Sequence, residues 1–198
     1  VGTGVVKIIQ SKSDLLRIRT GRSIEVVAVS ARSAGKDRGV DLSAYRWHDD
    51  PVSLAKSDDI DVFVELIGGD EGPAKEATEA ALKSGKDVVT ANKAMLAHHG
   101  QALAHLAESN GLSVRYEAAV AGGIPIIKSL SEGLAGNQIK RVMGVMNGTC
   151  NYILTRMQSA GLSYDEVFAE ADALGYLEAD PNLDVGGIDA GHKLAILS

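Results

Sequence analysis

The sequence predicts an α/β protein in which helices cover both faces of a parallel sheet, and three observations support this fold class. Short apolar runs rich in β-branched residues alternate with longer stretches of helical spacing, as in parallel sheets joined by crossover helices. Hydrophobic residues make up 45% of the 198 residues and charged residues 23%, which is ordinary for a globular domain. Glycine-containing turns separate the runs, so the chain reads as a succession of short elements.

Four runs in the first part of the chain have the apolar, β-branched character of buried strands. They are residues 24–29, 61–67, 87–90 and 113–118. Helical spacing is expected around them, at residues 5–16, from Asp50-Pro51 onwards, and at residues 72–83 and 94–109. The polar residues 30–45 are expected to form a surface loop.

The pattern changes after about residue 120, where helices become more frequent than strands. The predicted elements there are a helix at 125–134, a strand at 139–146, and helices at 150–160 and 164–174. Ser163 and Glu166 have the spacing of a capping box for the last of these helices. We therefore divide the chain into a nucleotide-binding domain, residues 1–120, and a substrate-binding domain, residues 121–198.

Both ends of the sequence lie inside predicted elements. The chain begins within a glycine turn at Val1 and ends within an apolar helical pattern at Ser198. We therefore expect the first strand of the nucleotide-binding domain, and the end of the substrate-binding domain, to lie outside these residues.

Charge and cysteine content exclude several classes of function. The net charge is −6 and no dense Lys/Arg block occurs, which argues against nucleic-acid and membrane-surface partners. No run of about 18 apolar residues occurs, so no membrane span is predicted. The single cysteine, Cys150, excludes a disulfide within the chain and is consistent with a reducing cytoplasm.

A glycine turn opens the chain as Val1-Gly2-Thr3-Gly4, directly before a helical run. In a Rossmann-like domain, glycines at the first strand-to-helix turn let backbone N–H groups approach the pyrophosphate of a dinucleotide. Gly2 would be the last glycine of such a G-x-G-x-x-G motif, so Gly2 and Thr3 are candidate cofactor contacts. The alternative is an ordinary helix N-terminus with tight packing.

The residues after the predicted strand 24–29, which would be the second strand of the domain, bear on the choice of cofactor. NAD-specific domains usually place an acid after the second strand, but this chain has Arg32 there. A guanidinium can bind a 2′-phosphate, which favours NADP or use of both cofactors. The alternative is a solvated basic loop.

Asp189 and Lys193 are four residues apart in a predicted helix and so share one face. Reduction of an aldehyde develops negative charge on oxygen, which a lysine can stabilise and protonate. A neighbouring carboxylate can orient the lysine and hold a substrate amine. An ordinary surface ion pair is the alternative.

Two other segments lie where ligands bind in α/β proteins. Lys93 follows the predicted strand 87–90, at the edge where open parallel sheets bind ligands. Gly148 and Thr149 lie at another strand-to-helix junction, where N–H groups and a hydroxyl can hold a carboxylate. The alternatives are a solvated lysine and a plain helix cap.

Four segments, VVTANKAML, YEAAVAGGIPII, VMNGTCNYIL and GYLEADPNLDVGGIDAGHKL, together resemble the homoserine dehydrogenase family in order and spacing. The resemblance covers nearly all of the chain and is closest at residues 88–198. It implies a Rossmann-like dinucleotide-binding domain followed by an α/β domain for substrate binding and dimerisation. The implied activity is NAD(P)-dependent interconversion of L-aspartate 4-semialdehyde and L-homoserine, in threonine, methionine and isoleucine biosynthesis. A homodimer or higher homo-oligomer is also expected.

The resemblance assigns roles to individual residues. It implies that Lys193 is the proton donor, and that Lys93 lies at the nicotinamide and the substrate. Glu178 and Asp189 would bind substrate, with Asp184 in the same loop as a further candidate. Gly175 would contact the cofactor.

The family also has a sodium site, formed by a glutamate side chain and backbone carbonyls on a loop after a strand. The resemblance places this site at four positions of this chain. They are Glu117, Val120, Gly122 and Ile124.

Two other functions remain open on the sequence. Cys150 could be the nucleophile of a phosphorylating semialdehyde dehydrogenase, although no histidine lies near it in sequence. The chain could also be a non-catalytic dinucleotide-binding sensor, against which the joint presence of Lys93, Asp189 and Lys193 argues. Trp47 and the five histidines are expected to be structural or exposed.

Overall fold

The computed structural model describes residues 1–177 and 180–198, which form two compact units. Unit 1 is Val1–Ala118 and unit 2 is Ala119–Ser198. The boundary expected from the sequence lies two residues further along the chain.

Unit 1 contains short parallel strands. They are β1 (Ala28–Ser30), β2 (Arg46–His48), β3 (Val62–Glu65), β4 (Asp87–Thr90) and β5 (Val114–Arg115). β1 pairs with β2, while β3, β4 and β5 form a second sheet in that order, with every pairing parallel. Parallel pairing puts the carboxyl ends of β3 and β4 at the same edge, next to the residues that follow them.

Unit 1 also contains helices, and their boundaries follow local sequence signals. They are α1 (Gly2–Ser11), α2 (Ser13–Thr20), α3 (Pro51–Ala55), α4 (Pro73–Lys83) and α5 (Lys93–Ser109). The Asp50 side chain caps α3 by accepting hydrogen bonds from the N–H groups of Val52 and Ser53, and Pro51 opens the helix.

The core of unit 1 lies between the β3–β4–β5 sheet and helices α3, α4 and α5. Alanines of α4 are fully or almost fully buried, and small side chains let a helix approach a sheet closely. The largest buried aliphatic side chains in this core include Leu82, Met95 and Leu103.

Helices are the regular elements of unit 2 among its described residues, and residues 134–147 form no helix. Its elements are α7 (Ile126–Lys128), a π-helical turn (Ser129–Gly133), α8 (Gly148–Ala160), α9 (Tyr164–Ala173), α10 (Asn182–Val185) and α11 (Ile188–Leu197). A further short helix, α6 (Glu117–Val120), crosses the boundary between the units. Ile153, Val167 and Ala171 form a small core between α8 and α9, and the predicted capping box of Ser163 and Glu166 is confirmed.

Several predicted elements need correction. The strand expected at 139–146 is wrong, because the described residues provide no neighbouring strand and an unpaired strand is not stable. Met143 and Val145 in this segment are 79% and 74% exposed. The helix expected at 5–16 is divided into α1 and α2 by the backbone of Lys12.

The strands of unit 1 are shorter than predicted, and one was missed. The run 24–29 becomes a strand only from Ala28, and 113–118 is a strand only at Val114–Arg115. The missed strand, Arg46–His48, is too polar to be predicted from its own residues and depends on pairing with β1. None of the helices in the described part of the chain combines the length and apolarity that crossing a bilayer requires.

Candidate active site

A buried polar network lies at the carboxyl ends of β3 and β4 in unit 1. Glu65, the last residue of β3, is fully buried. Its carboxylate accepts hydrogen bonds from the Thr90 hydroxyl at 2.5 Å and from the N–H groups of Ile67 and Gly68 at 2.6 and 3.1 Å. One carboxylate therefore connects the end of β4 to the loop that follows β3.

Asn92 extends this network to the start of α5. Its side-chain oxygen caps the helix by accepting from the Met95 N–H at 3.1 Å, and its amide donates to the Gly69 carbonyl at 2.6 Å. Lys93 is consequently the first residue of α5, directly after the carboxyl end of β4. This is the location that the sequence predicted for Lys93.

Gly2 and Thr3 are the first two residues of α1. N–H groups in the first turn of a helix have no intrahelical acceptor, so they are available to an anion. A Cβ added at Gly2 would lie 4.0 Å from the Leu66 Cδ1 atom, an ordinary contact. Tight packing therefore does not explain this glycine.

Arg32 is exposed in the loop that follows β1. Its neighbour Arg38 differs, because its guanidinium lies 5.7 Å from the ring centre of Trp47 and donates to the carbonyls of Ser33 and Lys36. Arg38 thus organises the loop, whereas Arg32 extends to its surface. Trp47 lies in β2, where it pairs with Val29.

Lys193 and Asp189 form the predicted pair on α11 of unit 2. The Lys193 Nζ atom lies 2.8 Å from the Asp189 Oδ2 atom and donates to the Met146 carbonyl at 2.8 Å. The side chain of Asp189 is 4% exposed and that of Lys193 is 21% exposed. The pair is therefore not the surface ion pair that was the alternative reading.

Asn147 joins this pair to Asp184. Its Nδ2 atom donates to Asp184 Oδ1 at 2.8 Å and to Asp189 Oδ2 at 3.0 Å, while its Oδ1 atom caps α8 by accepting from the Cys150 N–H. Asp184 is 3% exposed. The result is a buried polar cluster of Asn147, Asp184, Asp189 and Lys193, which we call the unit 2 cluster.

The other predicted residues of unit 2 lie beside this cluster in sequence. Gly148 and Thr149 are the first two residues of α8, and the Thr149 hydroxyl donates to the Tyr176 carbonyl at 2.8 Å. Gly175 follows α9 with a φ of +73°, a backbone conformation that favours glycine. Glu178 lies outside the described residues.

Cys150 is in the first turn of α8, and its thiol is 3.3 Å from the Asp184 carbonyl. Burial raises the pKa of this thiol, and the nearby carboxylates of Asp184 and Asp189 raise it further. A thiol is nucleophilic only as the thiolate, so these surroundings oppose a catalytic role.

The four predicted sodium ligands do not all lie on a loop. Glu117 and Val120 belong to helix α6, because alanines between them favour a helix and a glutamate suits its first turn. The Ile124 carbonyl accepts a hydrogen bond from the Ile126 N–H at 2.8 Å, which leaves it a second lone pair. One carboxylate with backbone carbonyls is a chemically suitable donor set for a hard cation, and the sodium site stays a prediction.

The sequence reasoning missed Glu65 and Asn147. A glutamate inside a run predicted to be buried was a usable signal, since a buried acid must be hydrogen-bonded. The sequence around Asn147 indicates only that this residue precedes a helix, which predicts a helix cap. It does not predict contacts with Asp184 and Asp189, which lie about 40 positions further along the chain.

Comparison with known proteins assigns both units to one family. The family model for the homoserine dehydrogenase NAD binding domain matches residues 1–117, and the homoserine dehydrogenase model matches residues 125–198. A homoserine dehydrogenase of Neisseria gonorrhoeae is 47% identical over 198 residues, covering 100% of this chain and 45% of the relative.

Solved structures agree with these matches. A homoserine dehydrogenase from Thiobacillus denitrificans is 44% identical with a TM-score of 0.90, covering 100% of this chain and 45% of the other. A hyperthermophilic archaeal homoserine dehydrogenase in complex with NADPH is 33% identical with a TM-score of 0.84, covering 100% of this chain and 65% of the other.

The chain thus spans about 45% of the length of the curated relatives it matches first. The matches cover both units, and the predicted α/β fold with a Rossmann-like first domain is confirmed. On this evidence the chain belongs to the homoserine dehydrogenase family.

Proposed function

We propose that this chain carries the nucleotide-binding and substrate-binding residues of a homoserine dehydrogenase, which interconverts L-aspartate 4-semialdehyde and L-homoserine. This reaction belongs to threonine, methionine and isoleucine biosynthesis. The observation that carries the proposal is the Lys193–Asp189 pair inside the unit 2 cluster, where a charged donor is held among nearly buried carboxylates.

The geometry supports Lys193 as the proton donor to the substrate oxygen. The ammonium group has three N–H donors, and the described contacts to Asp189 and Met146 engage two of them. The third can reach a substrate oxygen and stabilise its developing charge. The cofactor would supply the hydride to the carbonyl carbon as NADPH, or accept it in the reverse direction as NADP⁺, and Lys193 would supply or accept the proton at the oxygen.

The acids near Lys193 suit the ammonium group of the substrate. Glu178, Asp184 and Asp189 are proposed to accept charge-assisted hydrogen bonds from it. The substrate carboxylate is assigned to the N–H groups of Gly148 and Thr149 at the start of α8. The Thr149 hydroxyl already donates to Tyr176, so its contribution is secondary.

Cofactor contacts are assigned to residues in each of the two units. Gly2 and Thr3 open α1, Lys93 opens α5, and Gly175 provides a turn without a side chain. The NADPH complex of the archaeal relative and the exposed Arg32 both support NADP. The proposal therefore favours NADP, with NAD as the alternative cofactor.

Other parts of the proposal rest on the family. A sodium ion is assigned to the carboxylate of Glu117 and the carbonyls of Val120, Gly122 and Ile124. The protein is expected to act as a homodimer or larger homo-oligomer in the cytoplasm, on a small-molecule substrate. The single cysteine is consistent with that compartment.

A phosphorylating semialdehyde dehydrogenase is less well supported. That reaction needs a thiolate nucleophile, and the raised pKa of Cys150 keeps the thiol protonated. Alkylation of the thiol tests this alternative, because rapid loss of activity with protection by substrate would favour a phosphorylating semialdehyde dehydrogenase.

Replacement of Lys193 tests the proposed activity. In the full-length enzyme, Lys193→Met should lower kcat with homoserine and NADP by roughly 10²- to 10⁴-fold, the usual cost of losing a general acid. Cofactor affinity, measured by fluorescence titration, should remain nearly unchanged. Lys140→Met, at an exposed position of unit 2, is the control and should keep native kcat. A near-native kcat for Lys193→Met would remove this lysine from the mechanism.

A further inference from the structure

Asn147 occupies a position in the unit 2 cluster that the proposed reaction does not explain. Its amide nitrogen lies 2.8 Å from Asp184 Oδ1 and 3.0 Å from Asp189 Oδ2. Both carboxylates are nearly buried, and Asn147 itself is 9% exposed. One neutral side chain therefore lies between two acids that belong to different helices, α10 and α11.

Two carboxylates in one buried site disfavour each other's ionisation, and such pairs often share a proton. An amide nitrogen between them removes the need for that proton, because it offers one N–H to each carboxylate and adds no charge. Both acids can then remain ionised. Asp189 can then accept the Lys193 ammonium, and Asp184 keeps a negative charge near a substrate cation.

The orientation of the amide is determined by the cap of α8. The Oδ1 atom accepts from the Cys150 N–H at 2.8 Å, and an NH₂ group could not do so. The Nδ2 atom must therefore face the carboxylates. The preceding residue, Met146, gives its carbonyl to Lys193, so residues 146 and 147 contact both members of the Lys193–Asp189 pair.

We infer that Asn147 is a positioning residue, which keeps Asp184 and Asp189 apart and ionised so that Lys193 stays correctly oriented. The inference rests on the proposed function, since it names how the same site is held ready for its substrate. Serine or threonine would also cap α8, but neither has two donors that can reach both carboxylates.

Asn147→Asp in the full-length enzyme is the direct test. Aspartate keeps the size of the side chain and the oxygen that caps α8, but it replaces the shared donor by a third carboxylate. Around this group lie Asp184, Asp189, Lys193 and the Cys150 thiol. Among the described residues, three carboxylates would then lie beside one lysine, so the variant cluster should take up a proton more readily than the native one.

The expected result is a pH-dependent loss of activity. At alkaline pH, kcat with homoserine should fall roughly 10- to 100-fold, the usual effect of losing hydrogen bonds to charged groups. The loss should shrink as the pH falls and the cluster takes up its proton. Thermal stability should follow the same direction, because a proton bound more tightly in the folded state favours folding at low pH.

Two controls separate positioning from capping. Asn147→Ser keeps a cap for α8 but lacks the two donors to Asp184 and Asp189, so its kcat should fall although the helix remains capped. Ser163→Ala removes the cap of α9, the helix that packs against α8. It should lower stability and leave the pH profile of kcat native.

The inference is overturned if folded Asn147→Asp has the native pH profile of kcat. Should Asn147→Asp not fold, native kcat in Asn147→Ser overturns it equally. Absence of homoserine turnover in the native enzyme would instead reject the proposed function. The pH dependence of stability then still tests the arrangement of the cluster, and an unchanged dependence in Asn147→Asp would reject it.

Discussion

At the residue scale, buried polar side chains coincide with the candidate site. The described buried polar residues are Glu65, Thr78, Thr90, Asn92, Asn147, Asp184 and Asp189. All except Thr78 belong to the network at the ends of β3 and β4 or to the unit 2 cluster. Burial of a polar group is unfavourable unless it is hydrogen-bonded. The hydrogen bonds that these residues make within the two networks therefore best explain their burial.

Cofactor choice can be tested at single residues. Arg32→Ala should weaken the binding of NADP more than that of NAD, because only the phosphorylated cofactor loses a charged partner. The affinities of both cofactors can be measured by titration of the full-length enzyme. Arg38→Ala is the matched control, since Arg38 contacts Trp47 and its own loop, and it should affect both cofactors equally. An equal loss of affinity for both cofactors in Arg32→Ala would assign Arg32 to the loop alone.

The sequence predicted local parts of the site better than its tertiary contacts. The Asp189–Lys193 pair follows from helical spacing, and Lys93 follows from its place after a strand. The contacts of Asn147 with Asp184 and Asp189 join residues about 40 positions apart, which no local periodicity encodes. The burial of Asp184 likewise depends on contacts with residues distant in sequence, so no local pattern predicts it.

At the scale of elements, helices α8 and α9 are joined by a polar contact as well as by their small core. The Glu170 carboxylate accepts hydrogen bonds from the Tyr152 hydroxyl at 2.6 Å and from the Arg156 Nε at 3.0 Å. The Tyr152 hydrogen bond, followed by that of Arg156, lowers the pKa of Glu170. The ionised carboxylate therefore favours the folded state.

This contact should depend on pH in one direction. A lowered pKa in the folded state contributes stability above the unfolded pKa of glutamate, about 4.3, and that contribution is lost as the pH falls. Glu170→Gln should therefore lower Tm at pH 7, and the difference from the native protein should shrink at about pH 4 and below. Circular dichroism can follow this unfolding. Glu108→Gln, at an exposed position in the last turn of α5, should cause no comparable pH-dependent difference.

Elements with their own signals were predicted well, and those that depend on partners were not. Asp87–Thr90 is a strand as predicted, and the helices that begin at Asp50-Pro51 and Ser163 are correctly located. The segment 139–146 has strand-like residues but no described partner, while Arg46–His48 has polar residues and a partner in β1. Pairing therefore overrides the local pattern in both cases.

At the scale of the whole molecule, the two units have cores of very different size. Among residues 1–177 and 180–198, the buried core of unit 1 has 13 residues from the β3–β4–β5 sheet, helices α3, α4 and α5, and nearby loops, whereas that of unit 2 has three from α8 and α9. Burial of apolar surface is the main favourable contribution to folding, so unit 1 should resist heating more than unit 2.

Calorimetry of the chain should therefore show two transitions, with unit 2 unfolding at the lower temperature. Leu82 and Ile153 are buried aliphatic residues of equal size, 0% and 2% exposed, in the cores of unit 1 and unit 2. Replacement of either by alanine should destabilise its own unit by about 2–5 kcal/mol, since it leaves a cavity. Leu82→Ala should lower only the upper transition and Ile153→Ala only the lower one. If both substitutions lower the same transition by similar amounts, the units unfold together and their stabilities are not set by separate cores.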